Sequence, residues 1–401
     1  MSGSVELSPL RERVMLYTLM ALQFTMILDF MIMMPLSSQL MAVFAIQPGQ
    51  FGLLVSSYSI AAGVSSLLAS SLGDSFDRRH ALLVAYAGLL IATLACAYAN
   101  TYELLLTARI IAGFFGGVLS AITLAIVGDI FPPRTRGKAM GVVMLGFPLA
   151  TVAGVPIGLF IANHYTWQTP FSALVVASMG VFAVAYKVIP NVREHLNQPR
   201  VKFFQSYVEL LSISNHWWAF LTSCLIMFSG FMVIPYLAPT MVANTGLTDS
   251  QLPYIYFCGG VGTLITRPWI GRMTDSYKHS KVLALITIAS FVPIFLVTQT
   301  LQTPLTLQLI FATLFFVLIS GRFIPTSALV TASCESRFRG RVMAFSSAVQ
   351  NLGSGFAALI SGAIMVKASN GEILHYDWVG YIACVISLIA IWAATKVKAV
   401  S

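Results

Sequence analysis

Residues 70–82 read S-S-L-G-D-S-F-D-R-R-H-A-L, and residues 271–283 read G-R-M-T-D-S-Y-K-H-S-K-V-L. Asp74 returns as Asp275 and Ser75 as Ser276, at an offset of 201. A second pair, Arg136-Gly137, returns as Arg339-Gly340 at an offset of 203. Two similar offsets of half the chain length mark a duplicated plan, and internal repetition of this kind governs the whole fold.

Outward from these turns the chain is almost continuously apolar. We read twelve spans, at 14–40, 51–71, 81–98, 103–129, 139–161, 170–187, 214–241, 252–270, 281–299, 304–331, 341–366 and 378–396. The 401 residues are 57% hydrophobic and 9% charged, with mean hydropathy +0.83. A soluble domain carries roughly 25% charged residues, so this chain cannot cover a water-facing surface of ordinary polarity. Lipid offers backbone groups no hydrogen bonds, so spans of this length must be helices. The alternating ten-residue pattern of a β-barrel is absent. The expected fold is an all-α membrane protein with twelve transmembrane helices in two six-helix halves. Its parts are a cytoplasmic N-terminus (1–13), a first half (14–187), a cytoplasmic linker (188–213), a second half (214–396) and a cytoplasmic C-terminus (397–401). Arg11 and Arg13 precede an apolar stretch too long for a cleavable signal peptide, which reads as a retained first helix.

The net charge of +9 has a topological reading. Of the 23 Lys and Arg, Arg109, Arg267 and Arg322 fall well inside spans and Lys367 falls in an outside loop; the others lie in the termini, in alternate loops or at the span ends that adjoin them. That asymmetry places both termini in the cytoplasm, in a cytoplasmic (inner) membrane. A nucleic-acid partner is excluded, because the charge is dispersed rather than clustered among aromatics. Cys96, Cys224, Cys258, Cys334 and Cys384 show no metal spacing and read as free thiols. We expect no metal site and no cofactor.

The cytoplasmic turns resemble those of the major facilitator superfamily, whose signature there is G-x-L-x-D-R-x-G-R-K. Leu72, Asp74, Arg78 and Arg79 match it, whereas Ser70, Ser75 and Asp77 depart from it. The second copy keeps Gly271 and Asp275. Leu105, Arg109 and Gly113 match the L-x-x-x-R-x-x-x-G pattern of proton-coupled members. Gly154-Val155-Pro156-Ile157-Gly158 comes close to the G-P-x-x-G of antiporters. The chain looks most like the sugar-efflux and drug-efflux branches. The resemblance covers nearly the whole chain. It implies alternating access around a site between the halves, with the first, fourth, seventh and tenth helices lining it.

The residues themselves exclude several functions. There is no Ser/His/Asp order and no G-x-x-x-x-G-K-[ST] loop, hence neither a hydrolase nor an ATP-driven engine in this chain. Transport must then run on an ion gradient or down the solute's own gradient. Of 14 acidic residues only Asp29 lies near the middle of a span. A charge there costs about 2.5–3.5 kcal/mol on insertion scales and is usually functional. A carboxylic acid in apolar surroundings keeps its proton, and an arginine beside it favours the carboxylate. An acid that meets an arginine in one conformation and loses it in another therefore exchanges a proton as the protein rocks. Asp29 and Arg109 are the expected proton-coupling pair; the other reading is a permanent ion pair that only fixes packing.

Arg322 is the expected substrate contact, because arginine presents five fixed donors to carboxylate, phosphate or sugar oxygens. Gln23, Tyr236, Gln350 and Asn351 are further polar candidates, each also readable as an interhelical hydrogen bond. Asp74, Arg78, Arg79, Asp129 and Asp275 form the expected cytoplasmic gate, where a carboxylate paired across a loop or at a helix terminus latches one conformation. The activity expected is proton-coupled export of a small organic solute (sugar, drug or metabolite) by a monomer in the bilayer. Proton-coupled uptake of an anionic metabolite held by Arg109 and Arg322 is the alternative. A non-transporting sensor or assembly factor on the same scaffold is a third reading.

Overall fold

The computed structural model describes residues 9–72, 77–192, 208–335 and 338–400. Asp74, one of the expected gate residues, and most of the 188–213 linker lie outside the described residues.

Twelve long helical rods cross the molecule. We number them α1 Pro9–Met31, α2 Pro48–Leu72, α3 Arg78–Ala97, α4 Tyr102–Ile130, α5 Thr135–His164 and α6 Thr169–Val188 in the first half. The second half holds α7 Ser214–Thr245, α8 Leu252–Ser276, α9 His279–Thr298, α10 Leu305–Ala332, α11 Arg339–Ile364 and α12 Tyr376–Lys396. Ten of them are long and apolar enough to cross a bilayer by composition. α8 and α11 have the length but carry more polar residues, Gln350 and Asn351 among them. Large apolar side chains such as Ile91, Val176 and Ile265 stand exposed on the rods, as lipid-facing residues do.

Local chemistry sets the ends and the breaks. Thr101 caps α4 by accepting from the Leu104 N–H, and Asp77 caps α3 by accepting from the Arg79 N–H. α7 ends at Gly246, whose φ of +77° suits glycine. The expected first span, 14–40, is not one helix: the ladder stops after α1, and a separate helix runs Ser37–Val43. Pro35 supplies the cause, since it has no N–H to give and disfavours a helical residue before it. Four other rods are interrupted in their interiors, α9 among them at Ser290, ahead of Pro293. α5 widens into a π-turn at Ala150–Gly154 just before Pro156. α7 tightens into a 3₁₀ turn at Ile234–Tyr236 around Pro235. α10 breaks at Arg322, between Leu305–Gly321 and Phe323–Ala332, with Pro325 unable to donate to the turn before it. A two-stranded hairpin, Val366–Lys367 with Ile373–Leu374, joins α11 to α12 and was not foreseen.

The rods pack as two groups that meet through α2 against α11 and α5 against α8. The face carrying the chain ends is the terminal face, and the opposite one is the far face. Toward the far face a single apolar core runs through both groups, from Ile32, Phe51 and Leu159 to Tyr236, Ile255 and Ala358. Toward the terminal face the cores are separate. One holds Met15, Leu82, Ile126 and Ile189, and another holds Leu210, Phe220, Val330 and Val342. The halves are therefore closed on one another at the far face.

Candidate functional site

Asp29 lies on α1 two residues before its break, fully enclosed at 1% exposure. Its Oδ2 accepts from Nη1 of Arg109 on α4 at 3.0 Å, and its Oδ1 accepts from the Thr93 hydroxyl on α3 at 2.9 Å. The same Nη1 also donates to the Asp29 carbonyl at 3.1 Å. Arg109 is 0% exposed, its guanidinium lies 4.4 Å from the ring centre of Tyr58 on α2, and its Nε and Nη2 have no hydrogen-bond partner among the described residues. Four helices thus converge on one ion pair. The structure brings together the two residues expected to couple protons, and adds Thr93 and Tyr58. Nothing in the sequence marks Thr93 among many mid-span threonines, or Tyr58 among many tyrosines.

The near-match to the antiporter pattern has a packing role. A Cβ on Gly154 would press on Leu28, and one on Gly158 would press on Ile32, so both glycines let α5 approach α1 beside Asp29. On its other side the π-turn touches α8, where a Cβ on Gly260 would come within 2.9 Å of the Val152 Cα.

From the Arg109 pair a short stack of rings reaches the second half. Tyr58 stacks on Phe30 at 5.0 Å, and Phe30 stacks on Phe231 of α7 at 5.9 Å with an interplanar angle of 22°. One residue before Phe231 stands Gly230, and beyond it Arg322, also 0% exposed. Arg322 donates from Nη1 to the Ser387 hydroxyl on α12 at 3.1 Å, while its Nε and Nη2 have no partner. Burying an arginine without a carboxylate is costly, so this side chain holds an unmet charge.

The remaining candidates are scattered. Gln350 donates to Ser346, which donates to Ser223 on α7, and Asn351 is half-buried beside it. Gln23 is buried on α1 opposite Gly146 of α5. The Tyr236 hydroxyl donates to the carbonyl of Ala358 at 2.8 Å and lies 3.3 Å from that of Pro48, which places it in the far-face closure. Arg267 lies over the Phe147 ring across the α5–α8 contact, 5.6 Å from its centre.

Two of the terminal-face arginines have partners within the first half. Arg78 pairs with Asp129, and Arg79 donates to the Tyr186 carbonyl and to Asn191. Asp275 is exposed at the end of α8. Among the described residues, polar contacts between halves lie at the far face: the Ser38 hydroxyl donates to the Asp249 carboxylate, and Asn163 donates to the Asp249 carbonyl at 2.8 Å while accepting from Gln39. Asp249 sits in a Thr248–Gln251 capping box, which reads from sequence as a helix start rather than a latch.

The family model described as "Major Facilitator Superfamily" matches residues 19–239 and 219–399. The "Uncharacterized MFS-type transporter YtbD" of Bacillus subtilis (strain 168) is 24% identical over 342 residues, covering 82% of each chain. The "Probable sugar efflux transporter" of Pasteurella multocida (strain Pm70) is 23% identical over 226 residues, covering 56% of this chain and 55% of its own. Among solved structures, a D-xylose-proton symporter superposes with a TM-score of 0.80 at 17% identity, over 98% of this chain and 100% of its own.

Proposed function

This chain belongs to the Major Facilitator Superfamily and is a multi-pass membrane transporter, not an enzyme, and from that premise we propose that it exports a small organic solute in exchange for protons by alternating access. Residues 14–187 and 214–396 are the two rocking halves, and 188–213 is the tether between them. The basic residues of the terminal face set both termini in the cytoplasm of a bacterial inner membrane, with the protein working as a monomer.

The observation that carries the reading is the enclosed Asp29–Arg109 pair, with each carboxylate oxygen satisfied by a different helix. Asp29 is the proton carrier. Arg109 stabilises the carboxylate and is displaced from it when the halves rock, so the acid takes up a proton on one side and gives it up on the other. Arg109 is engaged by Asp29, which leaves Arg322, Gln350 and Asn351 for the solute, with Gln23 on the facing half. Tyr236 and Asp249 serve the outer gate. Arg78, Arg79, Asp129, Asp74 and Asp275 serve the inner one. The efflux relative supports the outward direction by its name.

The test is reconstitution of the purified chain into vesicles holding a pH-sensitive dye. Adding sugars, drugs and organic acids in turn should reveal solutes that move protons only when the protein is present. Solute movement that ignores an imposed pH gradient would show facilitated diffusion instead.

A further inference from the structure

The two halves repeat one another where the site is built. Asp29-Phe30-Met31-Ile32 on α1 corresponds, at the same offset of 201 that relates Asp74 to Asp275, to Gly230-Phe231-Met232-Val233 on α7. The correspondence is structural as well, since the regular helical turns end at Met31 in one copy and Val233 in the other, and Phe30 and Phe231 stack face to face. In the first half the position before the phenylalanine carries a carboxylate, and a buried arginine pairs with it. In the second half that position is glycine, and a buried arginine reaches it from a different place on the helix, twelve residues beyond the repeat position of Arg109. A Cβ built on Gly230 would lie 3.5 Å from Nη2 of Arg322, one of the two nitrogens that have no partner. Among the described residues no carboxylate pairs with Arg322, whose one side-chain hydrogen bond goes to Ser387.

We propose that the place beside Gly230 and Arg322 is the subsite for a carboxylate group on the transported solute, which there takes the position Asp29 holds in the other half. This rests on the transport reading above and narrows its substrate to organic acids. The asymmetry explains why a guanidinium is kept in a membrane interior with no acid of its own, since charges retained there face a partner or a solute. It also explains the glycine: any larger acidic residue at 230 would neutralise Arg322 permanently and compete with the solute. In the state described Arg322 is sealed beside Gly230, whose neighbour in sequence, Phe231, stacks on Phe30 across the halves.

The experiment uses the full chain in lipid nanodiscs and reads its unfolding temperature. Gly230→Asp should unfold several degrees above Gly230→Asn, and Arg322→Gln in both backgrounds should erase that difference, as a coupling between the two positions requires. A panel of carboxylates with their matched amides (benzoate and benzamide, gluconate and gluconamide, with further pairs alike) should stabilise the wild-type chain only through the acids. That response should weaken tenfold or more in Gly230→Asp, whose carboxylate fills the place, and persist in Gly230→Ala, whose Cβ makes only ordinary contacts there. Where Gly230→Asp fails to assemble, Arg322→Gln alone carries the arm and should lose the acid response. Equal unfolding temperatures for the Asp and Asn variants, or stabilisation by amides as strong as by acids, would overturn the proposal. Neutral solutes that drive proton movement in vesicles would meanwhile leave the transport reading in force.

Discussion

The Arg109 guanidinium lies 4.4 Å from the ring centre of Tyr58 while its Nη1 holds Asp29 at 3.0 Å, so one arginine is fixed by an aromatic face from α2 and a carboxylate from α1 together. A desolvated cation–π contact is worth about 2 kcal/mol. Tyr58→Phe keeps the ring and should leave solute-driven proton movement within twofold of wild type. Tyr58→Leu removes it and should lower that rate roughly tenfold, the equivalent of about 1.4 kcal/mol. Equal rates for Phe and Leu would assign Tyr58 to packing alone.

Asp29→Asn keeps the shape of the side chain and removes its proton chemistry. Gradient-driven accumulation should stop, while solute exchange at equal pH on both sides should survive, because exchange needs binding and rocking but no net proton transfer. The substitution should also destabilise the chain by about 3–5 kcal/mol, since it leaves a buried Arg109 without its counter-charge. Adding Arg109→Gln should recover part of that loss in a thermal unfolding series. Intact proton-driven transport in Asp29→Asn would move the proton site elsewhere.

The far-face closure uses Asp249 as its central acceptor, with Ser38 and Asn163 on the other half. Asp249→Ala should shift the population toward the state open on that face. Spin labels placed at exposed positions flanking Ser38 and Asp249 should report longer distances in the variant by electron–electron resonance. An unchanged distance distribution would make the contact incidental.

Orientation is tested by two exposed positions on opposite faces, Gln302 in the turn before α10 and Lys278 in the turn before α9. In a background without native cysteines, an impermeant maleimide added to intact cells should label Gln302→Cys and spare Lys278→Cys. The reverse pattern would invert the topology inferred from the basic residues.

The helices were legible because hydropathy and length leave little choice in lipid, and the expected ends of α2 to α4 fall within three residues of those found. Breaks were less so. Pro235 and Pro325 mark theirs openly, but the π-turn at Ala150–Gly154 depends on how α5 meets α1 and α8, which composition does not encode. The acid–base pair was legible because only one carboxylate lies mid-span. Thr93, Tyr58 and Ser387 were not, because a hydroxyl or ring on an apolar helix is ordinary until a charge is found beside it. The far-face contact between the halves was missed for a related reason. Charge asymmetry draws the eye to the terminal-face turns, whereas among the described residues Ser38, Asn163 and Asp249 join the halves on the other face.

The seam between α2 and α11 is made of backbone against backbone. A Cβ on Gly52 would overlap the Ala358 carbonyl, one on Gly355 would crowd that of Ser56, and one on Gly362 would crowd that of Pro48. From Pro48 to Gly63, whose own Cβ would meet the Ala348 carbonyl, the seam runs for about 22 Å at 1.5 Å per residue. A joint so tight leaves no width for a file of water molecules, and without such a file protons cannot hop through. On the proposed proton exchange, this seam offers protons no path between one cycle and the next. Widening the joint with one bulky residue should show itself first as a standing proton conductance in vesicles, before any change in what the protein carries.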